Sequence, residues 1–95
     1  MTEALASGML IQGARVAAFE AATTDFLARL EGAPAAHAIA VATGTAALSL
    51  ALASHPRADG TTGVDARDEV IVPAVSWPSP GHAVILAGAT PVLVD

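Results

Sequence analysis

The segment Thr43-Gly44-Thr45-Ala46 has the residue types of an anion-binding turn. It lies between an apolar run, His37–Val41, and a stretch of strong helix formers, which predicts a strand, a turn and a helix N-terminus. Free amides and the helix dipole at such a terminus stabilise a nearby negative charge by roughly 0.3–1 kcal/mol. Threonine hydroxyls add donors, and Gly44 lets the backbone approach a ligand closely. The alternative is that Thr43 or Thr45 is an ordinary N-cap of a helix that binds nothing.

Trp77 is the only tryptophan of the chain and follows the second predicted strand, Glu69–Pro73. Ligands of open α/β sheets bind beyond the carboxyl ends of strands, so we expect Ser76–Trp77 on the same rim as Thr43–Ala46. An indole there could stack on a flat ring, which contributes about 0.5–1.5 kcal/mol beyond area burial. A lone tryptophan can also be a core or interface anchor. A cradle for an anion and a platform for a ring on one rim together indicate a phosphorylated aromatic ring as ligand.

Other side chains with acid–base potential are three histidines and a cluster of carboxylates. The carboxylates are expected to form a solvated loop edge, not a catalytic pair or a metal site, and no histidine is assigned to catalysis. The four basic residues are all arginines, so this sequence contains no lysine amine for covalent chemistry. The histidines are His37, His55 and His82, and the carboxylates are Asp65, Asp68 and Glu69.

The framework that positions these residues is predicted from apolar spacing and turn residues. Apolar residues recur at helical spacing from Ala14 to Leu30, with Gly32 and Pro34 as stop signals, and Gly88 is expected to end the last helix. The stretch Ser54–Asp68 has loop chemistry and no apolar period. The expected elements are an extended arm over 1–12, helices over 14–30, 46–54 and 78–87, and strands over 37–41, 69–73 and 91–94.

Apolar strands joined by helices predict an α/β fold with a parallel sheet covered on both faces, that is, three αβα layers. Three strands leave long unpaired edges, so we expect residues 1–95 to be the opening part of a larger domain.

Composition restricts the class of protein. The chain is 54% hydrophobic and only 14% charged, which argues against disorder, and its net charge of −5 argues against nucleic acid. Cysteine is absent, so neither a disulfide nor a thiolate metal site is expected. The first residues lack the pattern of a signal peptide, and the most apolar stretch, Ala83–Val94, is too short to cross a bilayer. We therefore expect a cytoplasmic protein that does not bind membranes.

Four sequence blocks occur in the order typical of one enzyme family. They are Ser7–Gly13, His37–Leu48, Asp68–Pro73 and Gly88–Asp95. With them the chain resembles the N-terminal part of the DegT/DnrJ/EryC1/StrS sugar aminotransferases. The resemblance implies part of the large domain of a fold-type I, pyridoxal-phosphate-dependent transferase.

The resemblance also implies roles for individual residues. Gly44, Thr45 and the amide of Ala46 would hold the phosphate of pyridoxal 5′-phosphate, with Thr43 standing where the family usually has Ser or Asn. Trp77 would stack on the pyridine ring. Members of this family are mostly homodimers, and they transfer an amino group from glutamate or glutamine to a keto sugar nucleotide or a keto cyclitol.

Three features depart from the family pattern. Pro78 and Pro80 flank Ser79, which stiffens the helix start and removes amide donors. Residues 54–68 are longer than the usual connection and are expected to be a loop insertion. The family's lysine and its acid partner of the pyridine nitrogen would lie beyond Asp95. No catalytic residue is therefore assigned, and the 95 residues alone are expected to be inactive. The alternatives are an inactive truncated remnant and a related sugar dehydratase that uses the same cofactor.

Overall fold

The computed structural model describes residues 2–9, 11, 13–31 and 37–95. The chain divides into two compact units, residues 1–40 and residues 41–95. Within the described ranges, no helix combines the length and the apolar character that a membrane crossing requires.

The first unit contains helices α1 (Thr2–Ala6) and α2 (Ala14–Glu31). Helix α2 confirms the helix predicted over 14–30. The prediction of an extended arm over 1–12 is wrong for the residues of α1, which are mostly good helix formers with Glu3 in the first turn. Gly8, at φ +68°, follows the end of α1. Three residues of the predicted arm, Met1, Leu10 and Gln12, lie outside the described residues, as do the predicted stop signals Gly32 and Pro34.

The strand predicted over 37–41 does not form. The structure gives this segment no strand partner among the described residues. Its amides find acceptors on side chains of α2 instead, since Ala38 donates to Thr24 Oγ1 at 3.0 Å and Ala40 donates to Glu20 Oε1 at 2.8 Å. An apolar run is compatible with a strand, but pairing requires a neighbouring strand, which local sequence does not supply.

The second unit follows the predicted order of elements from residue 44 onwards. Helix α3 begins two residues earlier than expected because Thr43 is its N-cap. The other three elements lie within one residue of their predicted bounds. The elements are α3 (Gly44–Ser54), β1 (Glu69–Pro73), α4 (Ser79–Leu86) and β2 (Thr90–Val94).

Strands β1 and β2 pair in parallel, with Ile71 opposite Val92, and α4 connects them. The core consists of Val72 from β1, Val84 from α4, and Ala89 just before β2. The predicted α/β class with a parallel sheet is confirmed, but the sheet has two strands in the described residues, not three. Ile71, which alternates with the inward Val72, is 71% exposed. Coverage of both faces by helices therefore stays a prediction.

Helix α4 ends in a Schellman motif, as the glycine after it predicts. The amide of Ala89 donates to the carbonyl of Val84 at 3.1 Å, and the amide of Gly88 donates to that of Ile85 at 3.0 Å. Gly88 has φ +87°, a conformation that costs a residue with a Cβ about 1–2 kcal/mol. This turn sends the chain directly into β2.

The loop between α3 and β1 contains hydrogen bonds and ion pairs that its sequence does not predict. The Arg57 side chain, 18% exposed, donates from Nη1 to Asp68 Oδ2 at 2.5 Å and to the carbonyl of Gly63 at 3.0 Å. Asp65 lies 3.5 Å from Arg57 Nη2 and also pairs with Arg67. Asp65 and Asp68 stay partly exposed at the predicted loop edge, but ion pairs that the sequence did not predict hold both side chains.

Candidate functional site

The start of α3 is capped by Thr43. Its hydroxyl oxygen accepts from the Ala46 amide at 3.1 Å, and its carbonyl oxygen accepts from the Ala47 amide at 3.1 Å. The extended backbone of Thr43, φ −149° and ψ 158°, is the usual conformation of an N-cap. The capping alternative raised by the sequence is therefore realised at Thr43. The Ala46 amide already has an acceptor within the protein.

The first two residues of α3 keep their backbone donors open. The structure gives the amides of Gly44 and Thr45 no acceptor within the described part of the chain. A Cβ built on Gly44 would meet no atom within 4 Å. Two free N–H groups at the positive end of an 11-residue helix are suited to bind an anion.

An open concavity of about 500 Å³ lies between the starts of α3 and α4. Three predicted residues, Gly44, Thr45 and Trp77, line it together, whereas Thr43 and Ala46 do not. Trp77 is 80% exposed, so in this structure it is not a core anchor and much of its indole surface is free for contact. The structure therefore brings the predicted anion cradle and ring platform to one place. The roles of the individual residues in cofactor binding stay predictions.

Four lining residues were given no binding role by the sequence, although it predicted Ser76 on the same rim. Thr45 Oγ1 donates to Ser79 Oγ at 3.0 Å, which links the first turns of α3 and α4. The signal for Ser79 was present in the sequence, because a hydroxyl in the first helical turn after Trp77 lies at the same sheet rim. The four residues are Leu48, Ser76, Ser79 and Pro80.

The histidines and the ion-paired carboxylates do not line this concavity. His55, Asp65 and Asp68 belong to the loop at the other end of α3, and His82 is exposed on α4. The lining side chains are hydroxyl-bearing, apolar or aromatic. Such a set can bind and orient a ligand, but it contains no amine or imidazole that could act as nucleophile or base.

Comparison with known proteins gives consistent matches. The chain is 38% identical over 95 residues to the spore coat polysaccharide biosynthesis protein SpsC of Bacillus subtilis, covering 100% of this chain and 21% of that protein. It is 46% identical over 57 residues to the L-glutamine:scyllo-inosose aminotransferase of Streptomyces griseus, which covers 60% of this chain and 12% of that enzyme. It is 46% identical over 59 residues to the GDP-perosamine synthase of Caulobacter vibrioides, which covers 62% and 14%.

The aligned regions span about a fifth or less of the length of these relatives. No solved structure matches the chain significantly. The sequence profile of one family matches residues 1–95, the whole chain. The four ordered sequence blocks and this match lead to the same conclusion: the chain belongs to the DegT/DnrJ/EryC1/StrS aminotransferase family.

Proposed function

We propose that the complete protein is a pyridoxal-phosphate-dependent aminotransferase acting on a keto sugar nucleotide or a keto cyclitol. The observation that carries the proposal is the coincidence of family membership over the whole chain with one concavity that joins Trp77 to the open amides of α3. The chain spans about a fifth or less of its relatives, so the activity belongs to the complete protein.

The residues of the concavity fit the phosphate and the ring of this cofactor. The amides of Gly44 and Thr45 would donate to phosphate oxygens, and the dipole of α3 adds roughly 0.3–1 kcal/mol for a nearby anion. Gly44 has no Cβ, and the space above it is open, so the backbone can meet the phosphate directly. Trp77 would cover one face of the pyridine ring and exclude water from it.

Thr43 and Ala46 contribute less directly to binding of the phosphate. Thr43 fixes the first turn of α3 by accepting from Ala46, so its mutation would misplace the amides of Gly44 and Thr45. The Ala46 amide would reach a phosphate only by sharing its hydrogen between that group and Thr43 Oγ1. We therefore assign Thr43 a positioning role and retain Ala46 as the third amide of the turn.

Bound pyridoxal phosphate supplies the electron sink that lets an amino group leave one carbon and enter another. The part of this chain is to hold the phosphate and orient the ring. This sequence contains no lysine, so the amine that tethers the cofactor and moves the proton must come from elsewhere in the complete protein. We expect the 95 residues alone to give no amino transfer.

The substrate class is proposed from the names of the relatives. Two of them use L-glutamine with scyllo-inosose or 2-deoxy-scyllo-inosose, and a third is a GDP-perosamine synthase. We propose glutamine or glutamate as donor and a keto cyclitol or nucleotide-linked keto sugar as acceptor. The family resemblance supports a homodimer, and we propose that the protein is cytoplasmic.

The test uses the complete protein stripped of cofactor and titrated with pyridoxal phosphate. A cofactor absorbance band that borohydride reduces should appear, and pyridoxal, which lacks the phosphate, should be retained less well. Glutamine labelled with nitrogen-15 at its α-amino group should then transfer label to scyllo-inosose or to a nucleotide-linked keto sugar. Failure to bind the cofactor would contradict the proposal. Cofactor binding without transfer, but with loss of a sugar hydroxyl, would identify the dehydratase alternative.

A further inference from the structure

We propose that Ser79 is a second phosphate-binding hydroxyl that acts as a pair with Thr45. This inference rests on the proposed cofactor site. The two oxygens lie 3.0 Å apart, and both residues line the concavity that contains Trp77. Because Thr45 belongs to α3 and Ser79 to α4, the hydrogen bond fixes the two helix starts beside the same volume.

The Ser79 hydroxyl adds a side-chain donor at the start of α4, where two prolines reduce the number of backbone donors. Pro78 and Pro80 have no amide hydrogen, and the amide of His82 already donates to the carbonyl of Pro78 at 3.0 Å. The backbone donors at the start of α4 that have no acceptor among the described residues are therefore the amides of Ser79 and Gly81. The Ser79 side chain supplies a donor where the neighbouring prolines remove them.

Each hydroxyl of the pair has one proton, and this determines which of the two residues donates a hydrogen bond to the phosphate. Thr45 Oγ1 donates to Ser79 Oγ, and the Ser79 proton has no acceptor among the described residues, so it is available to an anion. If Ser79 is removed, the Thr45 proton is released and can turn towards the anion. If Thr45 is removed, Ser79 keeps its own proton. One donor to the phosphate survives either loss, and only the double loss removes it.

The experiment is a double-mutant cycle in the complete protein with variants Thr45→Val, Ser79→Ala and both together. The dissociation constants of pyridoxal phosphate and of pyridoxal are measured for each by equilibrium dialysis. Each single variant should weaken pyridoxal phosphate binding by less than about threefold. The double variant should weaken it by about tenfold or more, because the last charge-assisted side-chain hydrogen bond is lost. Pyridoxal binding should change in none of them.

Two further variants separate this role from a structural one. Ser79→Thr in the Thr45→Val background should bind pyridoxal phosphate as well as Thr45→Val alone and better than the double variant, because it keeps a hydroxyl at position 79. Ser54→Ala removes a hydroxyl at the far end of α3 whose one hydrogen bond among the described residues is to the Ala51 carbonyl, and it should leave binding unchanged. The phosphorus-31 resonance of the bound cofactor should shift in the double variant.

Three results would overturn the pairing. They are a double variant no weaker than Thr45→Val, a double variant equal to the product of the single effects, and an equal loss of pyridoxal binding. If the wild-type protein binds no pyridoxal phosphate, the proposed function itself has failed. That outcome is distinct from a wild type that binds while its variants fail to couple.

Discussion

The two ends of α3 differ in whether their polar groups are paired with other groups of the protein. At the C-terminal end, charged groups of the loop 55–68 pair with each other and with its backbone, because the Arg57 guanidinium bonds both Asp68 and the Gly63 carbonyl. At the N-terminal end, the amides of Gly44 and Thr45 find no acceptor among the described residues, and Trp77 is 80% exposed. A polar cluster that satisfies its own groups stabilises the fold, whereas one with unused donors beside an exposed ring is available to a ligand.

The glycines at the two ends of α3 also differ, both in backbone conformation and in what a Cβ would contact. Gly63, in the loop, has φ +91°, and a Cβ there would lie 3.2 Å from the Ala53 carbonyl oxygen. Gly44, at the concavity, has an ordinary backbone and open space around the position of a Cβ. The fold requires the first glycine, and the proposed ligand site requires the second.

The largest effect is expected for Gly63→Ala. The left-handed backbone and the close carbonyl should together destabilise the protein by about 1–3 kcal/mol. Urea denaturation followed by circular dichroism measures this. Gly60→Ala is the matched control, because Gly60 has φ +82° but nothing within 4 Å of a Cβ. Equal losses for the two variants would show that the contact with Ala53 contributes nothing.

Trp77→Ala is expected to weaken pyridoxal phosphate binding by about tenfold, since it removes the stacking surface. The free energy of unfolding should barely change, because the side chain is already exposed. Trp77→Phe should retain much of the affinity, and Val75→Ala, at a neighbouring position 92% exposed, should retain all of it. Full affinity in Trp77→Ala would show that the stacking role is misassigned.

Gly44→Ala tests the cradle itself. The added methyl should weaken pyridoxal phosphate binding about threefold to tenfold by displacing the phosphate from the backbone, while stability stays equal or rises by less than about 1 kcal/mol. Gly81→Ala is the control, because that glycine also has open space but does not line the concavity. Equilibrium dialysis and thermal unfolding measure the two quantities. Unaltered affinity in Gly44→Ala would contradict direct contact between backbone and phosphate.

The smallest expected effect is on the stability of the loop between α3 and β1 at acidic pH. Hydrogen bonds from the Asp65 amide and the Arg57 guanidinium hold the pKa of Asp68 below its ordinary value. Such a group stabilises the fold above its unfolded pKa of about 3.9, and the contribution is lost as the pH falls through the lower folded value. In the wild type, the loop amides should lose protection against hydrogen exchange below about pH 4. In Asp68→Asn this loss should be smaller. The measurement is hydrogen exchange at the Asp65 amide.

Glu69→Gln is the control for that measurement, because Glu69 is exposed and has no ion pair within the described residues. It should leave the acid response of the Asp65 amide as in the wild type. An identical response in Asp68→Asn would show that this carboxylate does not couple the loop to pH.

Prediction from sequence succeeded where the signal is local and failed where a distant partner decides. Helix α2 and strand β1 follow from apolar spacing and β-branched residues, and Gly88 marks the end of α4. The strand predicted over 37–41 failed because pairing depends on a second strand. The ion pairs of Arg57 were missed because charge in a loop gives no indication of its partner.

Local sequence by itself determined that Thr43 or Thr45 caps a helix, and it determined the parallel β1–α4–β2 unit and the family of the chain. Only the tertiary structure decided that Trp77 stays exposed beside Gly44, and that Ser79 bonds Thr45 across 34 positions of sequence. The physical reason is that capping and periodicity act over one or two helical turns. The contact between α3 and α4 exists only after the chain between them has folded onto the sheet.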